Sequence, residues 1–324
     1  MGASPTVLFR LFDSNTAKKK YSHHIRQQER FLEWMEESDR DTASATTMDV
    51  LNYVAPHLED GSWKPFTARA CATNLLHLFS PERSKRIRED ENYKAFFKAA
   101  AARTLKRIRH YDMDMGPVYN AIREMGPNQQ LNPVSLRNKV TFLLGLVGYM
   151  RPDDQFCTDV ALCKIYDDRL HLTVVNPKER RGGMRITKRI IIKAHEDDLL
   201  CPVSAFKEYR ARTAMYDDMA RCQHPKWLDD VFLYTPLLRT LSGKQRIQVD
   251  AISKCQGVFM ELMPREEGQP RPKLRAAGAA LAIKKGIPVE EVTTHGNWSS
   301  PRIVEDYYRI TRHQAHNFTD TILS

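Results

Sequence analysis

Two arginines and a tyrosine in the C-terminal two thirds of the chain could act on a phosphodiester. Arg151 directly follows an apolar segment, Arg275 lies in the first turn of a helical segment, and Tyr307 lies near the C-terminus. Arginine binds phosphate oxygens bidentately and stays charged at any relevant pH, so a pair can stabilise the charge that develops on the nonbridging oxygens. A tyrosine hydroxyl that attacks phosphorus forms a phosphotyrosine, which conserves the bond energy for rejoining.

The sequence offers little to a metal ion. Its six cysteines are scattered, without a Cys-x-x-Cys pair or a matched histidine spacing of the zinc type. Its carboxylates are not clustered in the way that two-metal nucleases need. We therefore predict no metal site and no cofactor, and we expect the cysteines to be reduced and mostly structural.

The candidate residues near the C-terminus follow a definite order. In chain order, the segments are Lys273-Leu274-Arg275-Ala276-Ala277-Gly278-Ala279, Gly286-Ile287-Pro288, His295-Gly296-Asn297-Trp298 and Asp306-Tyr307-Tyr308-Arg309. This order resembles the C-terminal motifs of tyrosine recombinases, the phage-integrase superfamily. In that family a helix-borne Arg precedes a Gly-containing turn with His or Trp, and the nucleophilic Tyr follows nine residues later.

The spacing of this motif selects between two adjacent tyrosines. Trp298 and Tyr307 are nine residues apart, so the resemblance implies that Tyr307 is the nucleophile. Neighbouring side chains on a helix point in different directions, so only one of the two can face a phosphate. Tyr308 is the alternative nucleophile.

Upstream motifs extend the resemblance to residues 113–310. Arg151 has an acidic residue, Asp154, three positions later, and Lys178 lies in the turn Asn-Pro-Lys-Glu-Arg-Arg-Gly-Gly between two predicted strands. The family usually has a histidine three residues before the second arginine, where this chain has Pro272. His295 is a candidate substitute for that histidine.

The resemblance implies a reaction and a role for each residue. Attack by the tyrosine leaves a 3′-phosphotyrosine and a free 5′-hydroxyl, and Lys178 protonates the departing oxygen as general acid. Trp298 donates its indole N–H to the phosphate or packs the site, and Asp154 orients Arg151. The chain is then a site-specific DNA recombinase or integrase. Pro272 and the Gly-x-Trp turn favour a divergent member, of the type found in eukaryotic mobile elements or large viruses.

Two alternatives to this function stay open. A domesticated DNA-binding protein would keep the fold without catalysis, and a type IB topoisomerase-like enzyme would share the chemistry. Cleavage of DNA separates the first alternative from a recombinase, and relaxation of supercoiled plasmid without a specific site would support the second.

The predicted fold is mainly α with a small β-sheet (α+β). We place a helical DNA-binding domain, resembling the core-binding domain of the family, at residues 1–112, and a catalytic domain with a C-terminal tail at residues 113–324. Helical spacing in the first domain predicts segments at Ser14–Met35, Thr47–His57, Thr67–Phe79 and Glu91–Arg109. In the second, we expect strands at Leu170–Val175 and Arg185–Ile192.

Charge and composition point to double-stranded DNA as the partner. Lys plus Arg number 50 against 40 for Asp plus Glu, a formal charge of +10, which favours a polyanion through counterion release. A basic helix face is a candidate DNA contact, formed by Arg103, Lys106, Arg107 and Arg109. The resemblance implies a homo-oligomer, a dimer on each site and a tetramer in synapsis.

The sequence also predicts where the protein works. The longest apolar stretch, Val140 to Met150, is far shorter than the roughly 20 residues that a bilayer span needs. The first residues lack the pattern of a secretory signal. We expect an intracellular protein with no membrane segment, in the nucleus if the host is eukaryotic and otherwise in the cytoplasm or nucleoid.

Overall fold

The computed structural model describes residues 15–104, 111, 113–227, 232–308 and 310, with side chains described from residue 24 onwards. The chain divides into two compact units, Met1–Ile108 and Arg109–Ser324. Each has a hydrophobic core of its own. The division falls a few residues before the boundary expected from the sequence.

The first unit is helical throughout the part that the structure describes. Its helices are α1 (Asn15–Glu37), α2 (Thr47–Glu59), α3 (Pro65–Leu75), α4 (Pro81–Glu89) and α5 (Glu91–Ala102). Apolar side chains spaced along one face of each long helix meet in a core that includes Phe31, Val50, Leu75 and Phe97. The four helical segments predicted there correspond to α1, α2, α3 and α5. Helix α4 was not predicted.

Helix α4 was missed because its sequence carries almost no apolar signal. Only Ser84 and Ile87 of its nine residues are buried. Capping residues define it instead. The Ser80 hydroxyl accepts a hydrogen bond from the N–H of Arg83, and Pro81 occupies the first turn, where its missing N–H costs nothing.

The second unit combines helices with short antiparallel strands. Its helices are α6 (Gly116–Glu124), α7 (Pro133–Val147), α8 (Pro152–Phe156), α9 (Pro202–Thr213), α10 (Asp217–Ala220), α11 (Val249–Met260), α12 (Leu274–Lys284), α13 (Val289–His295) and α14 (Pro301–Tyr307). Its strands are β1 (Lys164–Ile165), β2 (Arg169–Arg181), β3 (Met184–Lys193), β4 (Cys222–Gln223) and β5 (Leu233–Tyr234). The sheet order is β1-β2-β3, with β4 and β5 forming a separate pair. The predicted class, mainly α with a small sheet, is confirmed.

The β2–β3 hairpin is longer than expected and contains a bulge. Its turn is formed by Gly182 and Gly183, whose φ values of 56° and 78° suit glycine. The pairing runs regularly up to Val175 with Thr187 and then resumes at Arg180 with Arg185. Residues 176–179 of β2 therefore stand opposite a single residue of β3, and the alternation of side chains shifts at this point.

Helix α7 is the central element of the second unit and packs against α9, α11 and α12. Gly278 lets α12 approach it closely, because a Cβ at that position would lie 2.1 Å from the carbonyl oxygen of Leu146. Gly145 plays the same part on α7, where a Cβ would lie 2.5 Å from a methyl carbon of Leu274. This close packing brings the start of α12 to the end of α7, and so Arg275 towards Arg151.

None of the helices in the described ranges combines the length and the apolar character that crossing a bilayer would require.

Candidate active site

Arg151 is held where α7 gives way to α8. The chain reverses through Tyr149, whose φ of 48° is in the left-handed region, and Arg151 then occupies the cap position before Pro152. Its backbone N–H donates to Asp154 Oδ2 at 3.1 Å. Its guanidinium pairs with the carboxylate of Glu179. The sequence predicted that Asp154 orients Arg151, and the structure places that contact on the backbone of Arg151.

Arg275 lies in the first turn of α12 and is buried. It donates to the carbonyl oxygen of Gly296 at 2.8 Å and to Asp154 Oδ2 at 3.3 Å, and its guanidinium lies 4.5 Å from the centroid of the Trp298 ring. Its Nε is buried and makes no hydrogen bond to any described residue. Burial and the charge of Arg151 lower the pKa of Arg275. A buried cation with an unused donor suits an anion that arrives from outside.

The two arginines converge on one position. Glu179 Oε1 accepts a hydrogen bond from Arg151 Nη1 and lies 3.6 Å from Arg275 Nη2. A single anionic oxygen therefore contacts both guanidinium groups, although the two residues are far apart in the chain. This is the geometry expected of donors that bind one phosphate together.

The lysine of the site is Lys188 of β3, and Lys178 lies outside it. Lys178 is exposed on the bulged part of β2. Lys188 is fully buried, with Nζ 3.4 Å from Asp154 Oδ2. Burial lowers the pKa of Lys188, outweighing the opposite effect of Asp154. A lysine with a lowered pKa gives up its proton more readily, which suits a general acid.

The structure separates the two adjacent tyrosines. Tyr307 is 69% exposed. The Tyr308 ring lies 4.4 Å from the Trp298 ring, centroid to centroid, and the Arg275 guanidinium lies 5.6 Å from the Tyr308 centroid. Burial raises the pKa of Tyr308. The charge of Arg275, together with Trp298 and Arg151, lowers this pKa by a larger amount, so the net shift is downward. The tyrosine next to the arginines is therefore Tyr308, which was the alternative at the level of sequence.

Trp298 links the arginine to the tyrosine. It is buried and stacks on the Tyr149 ring, its ring is tilted against the Tyr308 ring, and the Arg275 guanidinium lies over it. His295 lies at a different part of this cluster, where its Nε2 forms a 2.7 Å hydrogen bond with the Val147 carbonyl oxygen and its ring meets the Tyr149 ring edge-on.

Pro272, which stands where the family usually has a histidine, is buried before α12. Its side chain has no proton donor or acceptor. The contacts of His295 are with Val147 and Tyr149 rather than with the arginines, so the structure gives no support to His295 as a substitute for the missing histidine.

Sequence reasoning missed Glu179 and Lys188. Lys188 had a signal, because it alternates with Ile190 and Ile192 on the buried face of β3. Glu179 had none, because the bulge in β2 decides which side chains face the arginines.

The structure describes one member of the basic patch expected to contact DNA. Arg103 is exposed directly after α5, and the other three members, Lys106, Arg107 and Arg109, lie outside the described residues. No group of three or more His, Cys, Asp or Glu side chains suited to a metal ion occurs in the described ranges.

Comparison with known proteins identifies the fold. No family model matches the sequence, and no curated protein matches it. Several solved structures do match. XerH site-specific recombinase, in a pre-cleavage complex with its difH substrate, has 12% identity and a TM-score of 0.56 over 99% of this chain and 85% of that chain. A lambda integrase dimer on a COC' core site has 17% identity and a TM-score of 0.51 over 94% and 92%. The Tn1549 transposon integrase, with a circular intermediate DNA, has 11% identity and a TM-score of 0.52 over 91% of each chain.

These matched proteins are all tyrosine recombinases. At such identities the likeness establishes the fold, and this chain therefore has the tyrosine recombinase fold with a divergent sequence. The resemblance identified from the sequence motifs is confirmed at that level.

Proposed function

We propose that this protein is a DNA strand transferase, a site-specific recombinase or integrase that cleaves and rejoins DNA through a 3′-phosphotyrosine. The observation that carries the proposal is the convergence of Arg151 and Arg275 on one anionic oxygen beside Tyr308. The matched structures support it, since they are of recombinases and integrases bound to DNA.

In the proposed reaction, Tyr308 Oη attacks phosphorus and loses its proton to solvent. The bond between phosphorus and the 5′ oxygen breaks, and the departing oxygen takes a proton from Lys188, the role first predicted for Lys178. Arg151 and Arg275 stabilise the charge on the nonbridging oxygens. Rejoining is the reverse sequence, in which a 5′-hydroxyl attacks the phosphotyrosine.

Other residues of the site position these groups. Asp154 Oδ2 accepts from Lys188, from Arg275 and from the backbone of Arg151, so one buried oxygen orients three donors. Trp298 holds the Arg275 guanidinium against its ring. A preorganised set of donors needs no rearrangement while the reaction occurs, which is where most of the catalytic benefit of such a site arises.

The proposal includes the partners and the place of action. Double-stranded DNA is the substrate, and two protomers per site with four in synapsis would carry out the exchange. The matched structures include a dimer and a tetramer on DNA. The protein would act where its DNA is, in the nucleus of a eukaryotic host or in the cytoplasm and nucleoid otherwise.

The test is covalent trapping from a pool of random-sequence duplexes that carry a nick. The short strand released after cleavage diffuses away, so adducts accumulate. We expect wild-type protein to form adducts enriched in one sequence, Tyr308→Phe to bind DNA without adducts, and Tyr307→Phe to retain them. Adducts that survive Tyr308→Phe and disappear with Tyr307→Phe would move the nucleophile to Tyr307. No adducts with wild type would contradict the proposed activity, and adducts without sequence enrichment would indicate a topoisomerase.

A further inference from the structure

Glu179 occupies the position where the two arginines meet. One of its carboxylate oxygens contacts both guanidinium groups, and the other, Oε2, is buried without a hydrogen-bond partner among the described residues. Its side chain is only 14% exposed. A buried carboxylate oxygen without a donor is costly, so the arginines must compensate for it.

Of the two carboxylates in the site, Glu179 is the one that competes with a phosphate for the arginines. Arg151, Arg275 and Lys188 are cationic, and Asp154 and Glu179 are the carboxylates that contact them. Asp154 is fully buried and accepts from the Arg151 backbone, Lys188 and Arg275, so moving its carboxylate would break three hydrogen bonds at once. Glu179 contacts the two arginines that a phosphate also requires. A phosphate and Glu179 would place two anions against the same guanidinium nitrogens, which disfavours simultaneous occupancy.

The backbone that carries Glu179 can accommodate its departure. Residues 176–179 have no ladder partners on β3, because the pairing is interrupted between Val175 and Arg180. Asn176, at the start of this stretch, has a φ of 51° and is held by side-chain hydrogen bonds to the Lys226 carbonyl and from Arg180. Moving Glu179 therefore breaks no strand pairing.

We propose that Glu179 is a resident anion that occupies the phosphate position between Arg151 and Arg275, and that a phosphate binds there by displacing its carboxylate. The inference rests on the proposed function in one respect, that the displacing group in the cell belongs to DNA. In the absence of DNA, Glu179 keeps the arginines directed at one point. Once the phosphate binds, the carboxylate swings away and no longer opposes the negative charge of the transition state.

The first test is an NMR titration with inorganic phosphate. Glu179→Gln keeps the shape of the side chain and removes the charge. We expect it to bind phosphate at least about tenfold more tightly than wild type, because a competing internal ligand reduces the apparent affinity to the fraction of sites that it leaves free, here about one tenth or less. Glu208→Gln is the matched control. Glu208 also pairs with an arginine, Arg212 at 2.6 Å, and is 18% exposed, so its loss should leave phosphate affinity unchanged.

A second measurement separates displacement from a simple change of charge. In protein labelled with ¹³C at the glutamate carboxyl carbons, the Glu179 resonance is the one that disappears in Glu179→Gln. Phosphate should move that resonance to the position of solvated glutamates. Glu179→Asp keeps the charge but shortens the side chain by one methylene, and should fall between wild type and Glu179→Gln in phosphate affinity.

Two results would overturn the inference. One is weaker phosphate binding by Glu179→Gln in a variant that unfolds at the wild-type temperature, which would make Glu179 a support for the arginines. The other is a Glu179 resonance that stays in place at saturating phosphate. Both readouts are independent of catalysis. If phosphate displaces Glu179 while the trapping experiment yields no adducts, the proposed function fails and the inference stands.

Discussion

The two carboxylates of the site lie on different kinds of backbone and differ in burial and in the number of donors that contact them. Asp154 is on the short helix α8, is fully buried, and accepts hydrogen bonds from three directions. Glu179 is on the bulged end of β2, is partly exposed, and leaves one oxygen without a partner among the described residues. Asp154 Oδ1 is also buried without a partner among the described residues, but three donors converge on Asp154 Oδ2, whereas Glu179 lies on a stretch of strand without ladder partners. We therefore expect the first region to hold the site together and the second to respond to a ligand.

Removal of Asp154 should have the largest effect on folding. In Asp154→Ala, Lys188 and Arg275 remain buried without their shared acceptor, and breaking a buried pair on one side costs about 3–5 kcal/mol. Urea unfolding measured by circular dichroism checks this value. Adding Lys188→Met should recover part of the loss, because it removes one of the uncompensated charges. A loss below about 1 kcal/mol, the range of exposed pairs, would show that Asp154 does not build the site.

Gly278→Ala tests the packing of α12 against α7, which supports the region around Asp154. The new Cβ would lie 2.1 Å from the Leu146 carbonyl oxygen, so α12 must move away from α7. Overpacking of this kind costs about 1–3 kcal/mol. We expect a lower unfolding midpoint and, because Arg275 moves with α12, weaker binding of phosphate. An unchanged midpoint in Gly278→Ala would contradict the close approach.

Glu179→Gln should have a small effect on folding, which sharpens the contrast with Asp154. Arg151 is partly exposed and can be solvated when its partner is lost, and Arg275 keeps Asp154. We expect a change in the free energy of unfolding below about 1 kcal/mol, as for other partly exposed pairs. The same urea titration measures it. A loss as large as that of Asp154→Ala would remove the distinction between the two carboxylates.

The smallest effect is expected in the titration of Tyr308. Burial raises its pKa, but Arg275, Trp298 and Arg151 bring it below the ordinary phenol value of 10.0. Phenolate at this position should therefore appear at lower pH than at the buried tyrosines, such as Tyr149, whose pKa burial raises to about 12. Absorbance at 295 nm follows the ionisation. The rise in absorbance at the lowest pH of the wild-type titration should be missing in Tyr308→Phe and present in Tyr307→Phe.

Local sequence patterns accounted for much of the fold and part of the site. Residue spacing predicted four helical segments of the first unit and the two strands of the hairpin in the second, and capping residues would have added α4. The order of motifs selected Arg151, Asp154, Arg275 and Trp298, and the structure brings these four side chains or their backbones into contact. Each of these assignments depends on a local motif, either a short spacing between residues or the first turn of a helix. Sequence spacing describes such motifs well.

The tertiary structure decided the choice between neighbouring residues. Lys188 lies on the buried face of β3 with its Nζ near Asp154, whereas Lys178 lies in the bulged part of β2, where the alternation is interrupted, and is exposed. Tyr308 lies against Arg275 and Tyr307 is exposed, because the way α14 ends beside Trp298 sets which ring turns inward. Glu179, which lies between Arg151 and Arg275, is on the same bulged stretch of β2. The sequence by itself determined which residue types are present near the site. Which of two adjacent side chains faces inward depends on the direction of the backbone, and packing between distant segments sets that direction.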